Sequence, residues 1–386
     1  MPHSYSLPQA ASTQRYFPAL TGLRAVAAGM VFFFHVAELT PPSYLQGFVK
    51  QWFIGVTIFF VLSGFLIAHR YMDWVTLTPG WWRVYLRNRF ARIYPIFFLL
   101  TAGVFVQYAL RLPYVSSAWV DTYTWKDRLF VVLANLTLTR AFFGQLILGE
   151  LPTAWTLTVE ETFYLSAPLL LLLVRRRAIF LVIWPVVALV VGLVLVGMHV
   201  QIYRFMESTR FMIGFTYFGR ATDFIMGVAL AVWLRRQPAG RSVRRCTLIG
   251  SLAIIGIMAC SQYLIGGMNS HPTQAIWYVP AGLLQLLALP FFIAVLLAGL
   301  TGEQSLLRRV LETKTAHWLG KASYVFYLIH GGPYKNAFTT YVTDNTWVRL
   351  AVGIAVSLAL YKWVEHPLNQ FFRAKQAKPT LIAVPA

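Results

Sequence analysis

Charge is what this sequence has least of. Only 12% of its 386 residues are Asp, Glu, Lys or Arg, about half the share found in soluble globular domains. A water-exposed surface cannot be built from so few, although the length alone would house two soluble domains. Acid is scarcer still, with 13 Asp and Glu against 33 Lys and Arg. Cysteine is limited to Cys246 and Cys260. They share one apolar run and lie about 21 Å apart if it is helical, whereas a disulfide needs Cα atoms within about 7 Å. A disulfide scaffold is excluded, and no Cys/His spacing offers a metal site.

What is abundant is apolar length, with 58% of residues hydrophobic. A helix needs about 20 mostly apolar residues to cross a bilayer. Strong runs lie near 18–38, 52–68, 93–110, 154–174, 178–198, 212–234, 246–265, 277–300, 318–336 and 347–365. The expected fold is an all-α polytopic transmembrane bundle of ten spans. A weaker run at 128–147 is interrupted by Arg128, Asn135 and Arg140. Residues 1–16 read as a disordered cytoplasmic N-terminus, 17–373 as one membrane domain and 374–386 as a basic cytoplasmic tail. The first run carries Arg24 and His35 and has no small-residue cleavage site, so it is not a signal peptide.

The net charge of +20 suggests nucleic acid, but the cations cluster between apolar runs, as cytoplasmic loops do. No nucleic-acid partner is expected; membrane lipids are. With the N-terminus inside and 128–147 not crossing, the inside segments hold 20 Lys and Arg and the outside segments 8. If 128–147 crosses, 14 of those positives move outside, against the positive-inside rule. Both termini are therefore expected in the cytoplasm of an inner-membrane protein, and 128–147 is re-entrant or interfacial.

Ionisable side chains inside a membrane are costly and usually face a cavity or a partner. Arg24 and His35 are 11 residues apart, within about 20° of three full turns, so they share a helix face about 16 Å apart along the axis. The cation suits an anionic ligand, and the imidazole suits proton transfer. The competing reading is a structural arginine paired with an acid and a histidine satisfied by a backbone carbonyl. Gly55, Ser63 and Gly64 in the second run serve close packing or a site wall. Arg83, Arg87, Arg89 and Arg92 precede Pro95; Arg89 and Arg92 are neighbours on a helix. They read either as phosphate ligands or as a flank binding anionic lipid. Glu160 lies about 9 Å into its span, near the expected depth of His35 and His330. Arg220 and Asp223, at i and i+3, can pair on one face.

These stretches together resemble the acyltransferase-3 family of integral membrane O-acyltransferases. FPALTGLRAVAAGMVFFFH is similar to the family's opening, with its Arg-x10-His pair at Arg24 and His35. GVTIFFVLSGFLI matches the Phe-x-x-Ser-Gly element at Phe60, Ser63 and Gly64. RFARIYP matches Arg-x-x-Arg-Ile-x-Pro at Arg89, Arg92, Ile93 and Pro95. WTLTVEETFYL, ASYVFYLIH and WVEHPLNQ resemble later elements, with Thr156 where Ser is common and Asn88 where some members carry Arg or Phe. The resemblance spans about 17–373.

It implies an acyl-CoA co-substrate, usually acetyl-CoA, and a hydroxyl acceptor on lipopolysaccharide, exopolysaccharide or a lipid-linked glycan. A thioester is already activated, so no metal or bound redox cofactor is required. His35 is the expected general base or acyl carrier, with Glu160 orienting it. Arg24, Ser63, Arg89 and Arg92 would hold the donor. Arg220, Asp223 and His330 would line the acceptor side. Some relatives add a soluble hydrolase-like domain; this chain would act alone or with a partner protein. A transporter or flippase of a glycan or small anion is the rival reading, since buried Arg, His and Glu also form transport paths; a lipid-linked glycan polymerase is a second.

Overall fold

The computed structural model describes residues 16–37, 44–114, 121–237, 244–265 and 279–374. The expectations for 1–16 and 374–386 fall outside these, apart from Tyr16 and Ala374. The described residues form helices and no sheet; a single bridge joins Phe143 and Phe205.

The helices follow the apolar runs. They are α1 (Pro18–Ala37), α2 (Tyr44–Lys50), α3 (Gly55–Tyr71), α4 (Pro79–Ala109), α5 (Trp125–Leu136) and α6 (Trp155–Arg176). After them come α7 (Phe180–Gly197), α8 (Thr209–Phe215), α9 (Tyr217–Arg236), α10 (Cys246–Leu264), α11 (Val279–Leu283) and α12 (Leu289–Gly302). The last are α13 (Leu306–Leu311), α14 (Lys314–Ile329), α15 (Gly332–Tyr341), α16 (Thr346–Leu360) and α17 (His366–Phe372). Pro95, Pro168 and Pro185 lie inside α4, α6 and α7, as membrane helices tolerate when neighbours satisfy the freed carbonyls.

Among the described residues nine helical stretches are long and apolar enough to cross a membrane. The count of ten uninterrupted spans is not reproduced. The run expected at 318–336 breaks: α14 ends at Ile329, and α15 begins at Gly332 with φ +61°. Gly331, Gly332 and Pro333 cannot prolong a helix at no cost, and a glycine accepts the left-handed turn. The segment 128–147 also forms no spanning helix. α5 has 12 residues and opens on a reciprocal cap between Thr124 and Asp127. The chain then turns through Leu138 at φ +52° into a short 3-10 turn, Arg140–Phe142.

Helix ends confirm the direction of travel. Phe17 packs on His69 at 5.2 Å, which puts the start of α1 beside the end of α3. Arg235 of α9 donates to Asp73 at 3.0 Å and to the carbonyl of His69 at 2.8 Å. Arg175 of α6 donates to the carbonyl of Asp73 at 3.4 Å. Arg87 donates to the carbonyl of Phe372 at 2.7 Å, and Tyr16 meets His317 at 3.2 Å. The start of α1 thus lies at the same end of the bundle as the finish of α17. α3, α6 and α9 all finish there too. One extra crossing between α4 and α6 would have reversed α6 and α9, so 128–147 returns to the side it started from.

The core is drawn tight where helices meet. α3 and α9 run side by side, and a Cβ on Gly64 would run into the carbonyl of Phe224, one on Gly227 into that of Val61. Small residues permit that backbone approach. At the far end of the bundle, 125–151 and 199–208 knit into a cap. Gly144 and Gln145 donate to the carbonyls of Arg204 and Tyr203, and Met206 to that of Phe142.

Candidate active site

One cavity opens among α1, α3, α4, α6 and α14. Its polar lining comprises Arg24, Arg92, Glu160, Thr156, Ser323 and Tyr324; Phe59, Phe60 and Tyr327 supply aromatic walls. Arg24 therefore faces the cavity, as its helix phase requires. Glu160 and Glu365 lie within electrostatic reach of both Arg24 and Arg92. The Glu365 carboxylate comes from the π-turn Tyr361–Glu365, a local widening that often marks functional positions. Its Oε2 is buried with no hydrogen-bond partner.

Ser63 fixes one wall. Its hydroxyl donates to Glu160 Oε1 at 2.9 Å. Having one proton to give, it must accept from the Tyr164 hydroxyl, 2.8 Å away. α3 thus uses its small residues in both expected ways. Gly55 and Gly64 let α1 and α9 approach, while Ser63 reaches the site.

The two arginines of the Arg-x-x-Arg element have different surroundings. Arg92 is exposed and faces the cavity. Arg89 lies between the rings of Tyr71 and Tyr164, 5.6 Å from each centroid, and donates to the Tyr71 hydroxyl at 3.2 Å. Such cation–π stacking holds a guanidinium in a fixed plane. Tyr71 and Tyr164 escaped the sequence reading, because a tyrosine in an apolar helix looks like core.

The histidines meet. The rings of His35 and His330 are 5.3 Å apart, and Tyr327, a cavity wall, lies 5.7 Å from His330. Aromatic contact is thus continuous from the cavity to the imidazole pair, at the end of α1 remote from Tyr16. His330 is buried and stacked on Phe326 at 5.9 Å. Glu160, expected level with the histidines, instead joins the Ser63 and arginine end of the cavity.

Arg220 and Asp223 form a buried ion pair at 2.9 Å. Arg220 also donates to Thr57 at 2.8 Å and lies over the Phe60 ring. The pair stands behind Phe60 and ties α9 to α3, outside the cavity lining. Arg349 was missed by sequence reading, although a lone arginine in TWVRLAVGIAV was the signal. It is buried on α16, over the Phe32 ring, and acts electrostatically on His330.

Arg140 anchors the cap. It is fully buried, 3.5 Å from Glu150, and donates to Asn135 at 3.2 Å and to the carbonyl of Ile147 at 2.8 Å. Asn135 and Arg140, two of the three residues that interrupted the weak apolar run, are what holds it folded back.

A family model described as an acyltransferase domain, acyltransferase-3, matches residues 17–361. Acyltransferase MdmB of Streptomyces mycarofaciens is 26% identical over 335 residues, covering 81% of this chain and 78% of that protein. Peptidoglycan O-acetyltransferase OatA of Listeria monocytogenes is 25% identical over 385 residues, covering 93% of this chain. A putative O-acetyltransferase of Staphylococcus aureus is 25% identical over 401 residues, covering 92% of this chain. The chain spans 56% and 58% of the lengths of these last two. No solved structure matches.

Proposed function

Because the chain belongs to the acyltransferase-3 family and is an acyltransferase, we propose that it moves an acyl group, acetyl in the simplest case, from acyl-CoA to a hydroxyl of a cell-surface or lipid-linked glycan. The observation that carries this reading is the polarity of the cavity. Arg24 and Arg92 stand at one end, and aromatic contacts lead through Tyr327 to the His35–His330 pair. A coenzyme A thioester has the matching polarity, with phosphates at one end and the acyl carbonyl at the other. Charge-assisted contacts from guanidinium to phosphate hold the donor. Arg89, braced by Tyr71 and Tyr164, and Ser63, hydrogen-bonded to Glu160, shape that end.

His35 takes the proton of the acceptor hydroxyl as its oxygen attacks the thioester carbonyl, a role worth about 10²–10⁴ in rate. The C–S bond breaks, and the thiolate leaves to be protonated. The name of the Listeria relative favours a glycan acceptor such as peptidoglycan. The arginine end of the bundle faces the cytoplasm of the inner membrane, where CoA is available, and the histidine end faces outward.

The test uses purified protein in lipid nanodiscs, radiolabelled acetyl-CoA and a soluble N-acetylglucosamine oligomer. Wild type transfers label. His35→Gln binds acetyl-CoA and does not transfer, while Arg24→Ala loses donor affinity first. Transfer by His35→Gln at the wild-type rate removes His35 from the catalytic role. Absence of any acetyl-CoA binding by wild type overturns the donor.

A further inference from the structure

His330 is oriented by its own helix. It follows the last residue of α14, and its ring Nδ1 lies 3.2 Å from the carbonyl oxygen of Phe326. A carbonyl oxygen only accepts, so Nδ1 carries the proton. A neutral imidazole has one N–H, which leaves Nε2 as a bare acceptor. That nitrogen is buried and has no hydrogen-bond partner among the described residues. A buried acceptor left unmatched is costly and rare enough to require an explanation.

The surroundings say what would satisfy it. Phe32 and Phe326 offer no N–H or O–H, and the Tyr327 hydroxyl is engaged with Thr156. The remaining ring is His35, at 5.3 Å between centroids and 37° between planes. The two imidazoles are not hydrogen-bonded as they stand, but at that separation a turn of either ring brings a His35 nitrogen within proton-transfer reach of Nε2. Among the described residues, the charged and titratable groups around His330 are His35 from α1, Arg349 from α16 and Tyr327 from α14.

We propose that His330 is a positioning residue for His35. Its Nε2 accepts the N–H of His35, turns the other nitrogen of that ring toward the cavity and steadies the imidazolium formed when the hydroxyl gives up its proton. This is the role a carboxylate has in a Ser-His-Asp triad, filled here by a neutral imidazole whose tautomer is set by Phe326. The inference rests on the reading of His35 as base. The atoms balance as in that reading: the hydroxyl proton goes to His35, the oxygen–carbonyl bond forms as the C–S bond breaks, and the thiolate is protonated.

The test compares His330→Phe, His330→Gln and His35→Gln in nanodiscs, with acetyl-CoA and the same oligomer. His330→Phe is expected to lower kcat about 10²-fold with donor KM unchanged, and to move the acid limb of the kcat profile to lower pH. His330→Gln, whose amide oxygen can accept the same N–H, restores much of the loss. Imidazole NMR of His35 gives the second measurement: its titration moves to lower pH in His330→Phe, with or without turnover. His330→Phe with wild-type kcat, or an unmoved His35 titration, overturns the proposal. If those results accompany an inactive His35→Gln, this inference fails and the base assignment survives. An active His35→Gln fails the base assignment instead.

Discussion

A single arginine can be a ligand, a brace or a topological marker, and its neighbours decide which. Arg92 faces the cavity, while Arg89, three residues earlier, is held between two tyrosines. Arg92→Ala should therefore raise the KM for acetyl-CoA by about tenfold or more, the scale of one charge-assisted hydrogen bond. Arg92→Lys should recover part of that, because charge returns without the planar fork. Tyr71→Phe should disturb Arg89 and leave Arg92 alone, giving a smaller rise. Donor titration of the three variants checks this, and equal KM values throughout would reduce the cluster to a topology signal. The sequence singled out Arg24, His35, Ser63, Arg89, Arg92, Glu160 and His330 because ionisable or small residues in an apolar run are conspicuous. It could not show that Glu160 goes with Ser63 and the arginines while His330 goes with His35. Depth along separate helices does not fix which faces meet.

At the scale of elements, the contact between α3 and α9 is the tightest test. Gly64 and Gly227 each press on the opposing backbone, where no side chain can yield. Gly64→Leu should push the helices apart, lower the thermal midpoint in detergent and break the Ser63–Glu160 hydrogen bond next to it. A change of less than a degree would mean the interface can relax. The cap obeys a different variable. Asp127 accepts from Thr124 and from the Tyr203 hydroxyl, and these bonds hold its carboxyl below the usual carboxylate range. A depressed value stabilises the fold above the ordinary carboxylate pKa and is lost as pH falls through the folded one. Limited proteolysis between His199 and Met206, where several residues take left-handed backbone, should accelerate only in acid. Tyr203→Phe should bring that acceleration to a higher pH; an unchanged profile would show that Asp127 does not hold the cap. Nine of ten apolar runs were legible as long helices. The tenth, 318–336, is divided between α14 and α15, because hydropathy averages over His330-Gly331-Gly332-Pro333, a turn signal inside an apolar window.

For the whole molecule, the charge tally and the helix ends agree independently. α3, α6 and α9 finish beside Asp73 and α17 finishes beside Arg87, as the arrangement with 128–147 returning requires. Reporter fusions after Arg177 and after Arg236 should both report the cytoplasm. A periplasmic signal at either would overturn the orientation, though not the relative placement of the helices. Composition made the membrane class plain. What it could not supply was the cap, because Arg140, Asn135 and Glu150 become partners only once the chain has folded back.

The break after Ile329 has a consequence for the lipid. α14 has 16 residues, a rise of about 24 Å, against a hydrocarbon core of about 30 Å. A helix of that length starting at one edge of the core brings its final turn, here with His330, several ångströms short of the opposite headgroups unless the bilayer thins around it. Hydrophobic mismatch of that size costs a fraction of a kcal/mol per ångström. Turnover should therefore depend on acyl-chain length in the surrounding phospholipid: thin bilayers bring the imidazole pair to the interface, and thick ones bury it.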